Sequence, residues 1–152
     1  SSSSAALGLL RLAAMTGESA YRRKAEEVLK LLAPATSRQP AAFGHLLQAL
    51  AFYHSGGAEL AIAWPADADA EADRPGCAVP AAAEPLVAEA RRRYRPNLVI
   101  AGGPDGSSTP PLMQDRTSLE GQPAAYVCQS FTCQAPVNDP AELGKELDAL
   151  DQ

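Results

Sequence analysis

Aromatic residues are scarce in this sequence: Phe, Trp and Tyr together make up 5% of its 152 residues. The 46% hydrophobic fraction offsets this less than it suggests, because alanine supplies much of it. Alanine buries little area, so at ~25 cal/mol per Å² the core energy must come from a few leucine-rich stretches. Long apolar runs are also missing, and none approaches the ~18 residues that a membrane span requires. Basic charge is in deficit, with a formal net charge of −5. That balance argues against a nucleic-acid binder, which presents a basic face. The opening run of four serines has no basic region and no cleavage site, so it does not read as a secretory signal. The three cysteines are an odd number, which fits a reduced, cytoplasmic protein better than a disulfide scaffold.

The first 56 residues have the pattern of helical hairpins. Leu7, Leu10 and Ala14 recur at helical spacing within Ser4–Met15, with Leu9, Leu12 and Ala13 widening the stripe. Ser4 is placed to cap that helix, and Gly17 to end it in a left-handed conformation. A second helix is expected from Glu18 to Ala33, burying Tyr21, Ala25, Val28, Leu29 and Leu32 and stopped by Pro34. A third starts near Pro40 and buries Phe43, Leu46, Leu47 and Leu50, ending at Gly56–Gly57.

From residue 57 to 152 the pattern becomes that of a small α/β subdomain. Glu59–Trp64 and Asn97–Ala101 are short apolar runs bounded by Gly or Pro, as buried strands are. A helix from Pro85 to Tyr94 lies between them, with Leu86, Val87, Ala90 and Tyr94 inward. Strand, helix, strand in that order predicts a right-handed parallel crossover. Ala124–Thr132 is a third strand expected to join the same sheet. A last helix follows Asp139–Pro140, with Asp139 as its cap and Leu143, Leu147 and Leu150 on one face. Residues 65–80 are rich in Asp, Ala and Pro and are expected to form a mobile acidic loop. Residues 104–123 read as a long surface connection. The fold class is therefore mixed α and β, with a short, partly parallel sheet.

Few residue constellations carry chemistry. Cys128 and Cys133 lack the two-residue spacing of a redox pair, and within one extended strand positions five apart face opposite sides. They read as buried structural thiols, and Cys77, in the acidic loop, has no nearby histidine with which to build a zinc site. Gly102–Gly106 follows a strand, but no helix begins after the glycines, so a turn is expected rather than a phosphate cradle. His45 and His54 are nine positions apart, half a turn out of phase on one helix, which excludes a metal pair. His45 borders the apolar face and is a candidate pocket-lining residue. Arg91, Arg92, Arg93 and Arg95 sit where a helix should end and complement its dipole. The acids Glu59, Asp67, Asp69, Glu71 and Asp73 lack the glycine and terminal glutamate of a calcium loop. No catalytic, cofactor-binding or metal site is expected in this chain.

The segment Ala125-Tyr126-Val127-Cys128-Gln129-Ser130-Phe131-Thr132-Cys133-Gln134-Ala135-Pro136-Val137 resembles the terminal signature of the thioredoxin-domain-containing, spermatogenesis-associated family. That signature is a Tyr-Val-Cys strand, a Phe-x-Cys pair, a proline and a helix opened by Asp-Pro, here Asp139-Pro140. Leu9-Leu10-Arg11-Leu12 with Thr16-Gly17-Glu18 and Tyr21 is similar to the family's late toroid helices. The resemblance implies an N-terminal thioredoxin-like domain followed by an (α/α) toroid like that of six-hairpin glycosidases. Residues 1–56 would then be the toroid's last helices, and 57–152 a C-terminal α/β subdomain. Tyr126, Cys128, Phe131, Cys133 and Pro136 would be structural signature residues. The implied partner is the remainder of the same polypeptide, thioredoxin-like domain and toroid helices together. Two other readings stand beside it: part of an epimerase- or glycosidase-like carbohydrate enzyme, and a helical-repeat interaction module. The second lacks a recurring ~34-residue repeat.

Overall fold

A computed structural model of the chain describes residues 2–71, 79–129 and 132–150. Among them the architecture is mixed α and β: helices α1 (Ser2–Thr16), α2 (Ser19–Arg38) and α3 (Gly44–Ser55) precede strand β1 (Ala58–Trp64). Helix α4 (Glu84–Arg91), strands β2 (Leu98–Pro104), β3 (Ala124–Gln129) and β4 (Thr132–Cys133), and helix α5 (Pro140–Ala149) follow. The sheet order is β2-β1-β3-β4. β1 and β2 run parallel, with Glu59 opposite Val99 and Ile62 opposite Gly102. β3 joins the other edge of β1 antiparallel, so the sheet is mixed as well as partly parallel.

Side-chain alternation divides the sheet into two faces. Leu60, Ile62, Trp64, Ala125 and Val127 point toward α4 and α5, where Leu86, Val87, Leu143 and Leu147 complete a core. Ala61, Ala63, Ala101 and Tyr126 point the other way, onto Leu112, Met113 and Met15 of α1. Alanines on that face bring the backbone close to its covering layer, which suits a chain poor in large apolar residues. Ala6, Leu10, Ala25, Leu29, Leu46, Ala49 and Phe52 close a third cluster among α1–α3, tied to the sheet through Val99.

Several boundaries differ from the sequence expectation. α1 begins at Ser2, so Ser4 lies inside the helix rather than capping it, while Gly17, at φ +73°, ends it as expected. Pro34 does not stop α2, which continues to Arg38. The donor Pro34 removes is the one to the Lys30 carbonyl, and both residues lie on the exposed side, where water can replace it. Pro40–Phe43 is a 3-10 turn ahead of α3, and Leu47 is exposed. α4 ends at Arg91, leaving Tyr94 83% exposed rather than inward. Pro96 bars helical backbone at Arg95, and the arginines after α4 turn instead to Asp148 on α5. Arg92 Nη2, Arg93 Nη1 and Arg95 Nη2 all face its carboxylate, with the Arg95 side chain only 4% exposed. These arginines therefore bind the two helices together, beyond complementing one helix dipole.

β2 does not end at Gly102–Gly103 but runs through both to Pro104. A Cβ on Gly102 would lie 2.9 Å from the Trp64 ring, and one on Gly103 2.7 Å from Ser107 Oγ. Close packing inside the strand demands these glycines, and the turn comes later, at Asp105–Gly106. The long connection 104–123 is not wholly on the surface, because its turn Pro111–Met113 buries Leu112 and Met113. Of the expected acidic loop, Ala66–Glu71 forms a 3-10 turn with Ala68 against the core; residues 72–78, with Asp73 and Cys77, lie outside the described residues.

Candidate functional site

The third expected strand divides in two. β3 stops at Gln129, and β4 returns antiparallel, setting Gln129 opposite Thr132 and Cys128 opposite Cys133. Positions five apart on one strand face opposite sides, but across a hairpin with two residues at its tip they are directly opposed. The Gln134 amide donates to the Val127 carbonyl at 2.9 Å, so the neighbouring Cys128–Cys133 pair is a non-hydrogen-bonded one, the closer of the two kinds. The two cysteines form a disulfide with a Cα–Cα distance of 4.0 Å. This overturns their reading as free structural thiols. Ser130 and Phe131 lie outside the described residues.

The disulfide sits beside a cation positioned by the connection between β2 and β3. Arg116 Nη2 lies 3.6 Å from Cys128 Sγ and 3.3 Å from Cys133 Sγ. Its guanidinium carbon stands 5.0 Å over the Tyr126 ring, a cation–π contact that fixes the plane of the fork. Three anchors hold the loop that carries it. The Arg116 amide donates to the Met113 carbonyl at 3.1 Å, and Met113 is fully buried. Tyr126 Oη donates to the Thr117 carbonyl at 2.7 Å. The Ser118 amide and hydroxyl both donate to the Asp105 carboxylate, each at 2.6 Å. Asp115, at φ +60°, makes the left-handed step that aims the next side chain back at the sheet.

Glu59 completes the cluster, opposite Cys128 on β1. Burial pushes its carboxyl above the ordinary value of 4.5, and the Arg116 charge partly opposes that rise. Tyr126 and Cys128, two positions apart, share this face with Glu59 and Ala61. The result is a half-buried cation between an aromatic ring, a carboxyl and a disulfide, at the edge of the sheet.

Of the expected signature residues, Tyr126, Cys128 and Cys133 converge here. Pro136 is half-buried in the return segment, next to Val137, whose amide and carbonyl both bond Ala125. His45 is exposed, its Nδ1 3.3 Å from Gln48 Oε1, beside a shallow depression of about 300 Å³ that also touches Ser3 and Phe43. A larger depression, about 930 Å³, opens past the C-terminal end of β1 between Asp67, Asp105, Ser118 and Gln122. Arg116 was missed by sequence reasoning, since its position 12 residues before Cys128 marks neither a motif nor a face. No protein-family model, curated protein or solved structure matches this chain.

Proposed function

We propose that this chain is a structural end-module of a longer polypeptide, its helical layer packing on further helices of an (α/α) toroid that follows a thioredoxin-like domain. The observation that supports the reading is the outward surface of the three helices. Leu12 on α1, Leu31 on α2 and Leu47 on α3 all turn away from the core, and Leu31 is 78% exposed. Covering a fully exposed leucine contributes ~1.5–3 kcal/mol, and with Leu12 and Leu47 already more than half buried the three together favour docking by a few kcal/mol before ordering costs. Hairpins of that kind stack side by side in a toroid, each covering the apolar stripe of its neighbour. The terminal signature gives the same assignment from sequence, with Tyr126 and Cys128 in β3 and Asp139 capping α5.

The test compares the chain alone with the native gene product. Carbene footprinting should label Leu31 heavily in the isolated chain and several-fold less in the native polypeptide. N-terminal sequencing of that polypeptide should find a Cys-x-x-Cys domain ahead of Ser1. Equal labelling in the two samples sinks the docking claim, and regular helical repeats upstream would favour an interaction module instead.

A further inference from the structure

The disulfide and Arg116 are mismatched in charge. A disulfide is neutral and a weak acceptor, so a guanidinium 3.3–3.6 Å from both sulfurs gains little from it. Among the described residues, the buried Nε of Arg116 has no hydrogen-bond partner. A thiolate in the same place would be a strong acceptor for that cation, and a neighbouring arginine is one of the arrangements that lower a thiol's pKa. The site is thus better matched electrostatically to a reduced cysteine than to the bond it contains. Glu59 acts in the opposite sense, but its burial favours the neutral carboxyl and Arg116 stands beside it.

The two sulfurs also differ in access. Cys128 is 2% exposed on the inner strand β3, between Glu59 of β1 and Cys133, whereas Cys133 lies on the exposed edge strand β4. Exchange requires an incoming thiolate to reach one sulfur while the other departs, and it runs faster when the departing thiol has the lower pKa. The exposed cysteine is the one that can be reached, and the covered one departs 3.6 Å from a guanidinium that also lies 3.3 Å from Cys133 Sγ, so access rather than charge decides which is attacked.

Going beyond the structural role proposed above, we infer that Cys128–Cys133 is a thiol–disulfide exchange site, attacked at Cys133 and assisted at Cys128 by Arg116. The reductant is a small monothiol of the glutathione class. Its thiolate, having released its proton to solvent, attacks Cys133 Sγ. The Cys128–Cys133 bond breaks, a mixed disulfide forms on Cys133, and Cys128 leaves as a thiolate beside Arg116. A second thiolate attacks the small molecule's sulfur in that mixed disulfide, releasing the small disulfide and the Cys133 thiolate. Two electrons pass from two thiols to the protein bond. Reduction would also free β4, whose remaining ladder bonds to β3 are few and at the solvent edge.

The experiment exposes the wild-type protein briefly to glutathione, quenches it with iodoacetamide and maps the cysteine peptides by mass, with Cys77 resolved as its own peptide. Glutathione on Cys133 with the alkyl group on Cys128 is the expected result. The reverse placement, an even split, or no mixed disulfide at all overturns the inference. A second arm measures the reduction rate in Arg116→Gln and Arg116→Lys, each checked for folding by circular dichroism. Losing the cation removes its stabilisation of the leaving thiolate, which slows reduction roughly three- to tenfold. Arg116→Lys keeps the charge and stays within about twofold of wild type. A wild-type rate in folded Arg116→Gln would reduce the pair to a hairpin staple.

Discussion

Removing the cap of α5 tests how firmly the last helix is held. Pro140 has no amide hydrogen, and the Leu143 amide already donates to the Asp139 carbonyl at 3.0 Å. The first turn's remaining donors, Ala141 N and Glu142 N, both reach Asp139 Oδ1, at 2.8 and 3.0 Å. Asp139→Ala therefore strips both at once. Asp139 is exposed, so water replaces part of the loss, and the cost falls near the middle of the usual range for a cap, about 1 kcal/mol. Asp139→Asn keeps an acceptor and loses only the charge facing the helix dipole, a few tenths of a kcal/mol that added salt should erase. In urea unfolding, Asp139→Ala should lower the midpoint by about 0.5 M with unchanged slope. Its melting temperature should fall by about 2–4 °C. The loss spreads beyond the first turn because Leu143 and Leu147, both fully buried, tie α5 into the core. An Asn variant as unstable as the Ala variant, or an Ala variant as stable as wild type, would refute the reasoning.

Opening the disulfide by reductant should cost only about 2 kcal/mol. The closed loop spans a sequence separation of 5 and so removes little unfolded-state entropy, and calorimetry of oxidised and reduced protein checks it. Glu59→Gln should change stability in a pH-dependent way. Because the folded carboxyl titrates above 4.5, wild type loses stability as pH rises from 4.5 through that folded value, and the penalty is constant above it. The Gln variant should therefore gain on wild type across that window in parallel urea titrations, and a difference independent of pH would show that the carboxyl is not desolvated. Asp148→Ala removes the acceptor shared by the arginines after α4, and should cost about 1 kcal/mol, given that its side chain is partly exposed. Half a molar salt should shrink that cost; a salt-independent loss would point to packing instead.

What the sequence shows and what it hides in this chain follow from range. The amphipathic stripes of α1–α3, the capped α5 and the positive φ at Gly17 depend on residues within a few positions of one another, and the parallel pairing of β1 with β2 follows from the order of such locally legible elements. Periodicity and cap chemistry report such features directly. The errors arise where a distant partner decides. Gly102 and Gly103 resemble a strand end locally, and only Trp64 and Ser107 show why small residues are needed inside the strand. Tyr94 has helical phase, but Asp148, more than fifty positions away, draws its neighbouring arginines to another element.

The hairpin at Cys128 belongs to the same class, at shorter range. A spacing of five says that two side chains diverge if the strand is continuous, and that they meet if it folds back between them. Nothing in Gln129-Ser130-Phe131-Thr132 supplies the Asn-Gly or Asp-Gly pair that marks a tight turn, so the continuous strand was the simpler expectation. The pattern that separates the two cases is the burial alternation. A continuous strand would keep Thr132 and Cys133 in the apolar layer, yet both are exposed, whereas Ala124, Ala125, Val127 and Cys128 are buried. Polarity gives the same signal in the sequence itself: Gln129, Ser130, Thr132 and Gln134 gather just where a buried strand should remain apolar. That run marks where β3 leaves the core. It also leaves one cysteine covered and the other exposed, the asymmetry on which attack at Cys133 and departure from Cys128 depend.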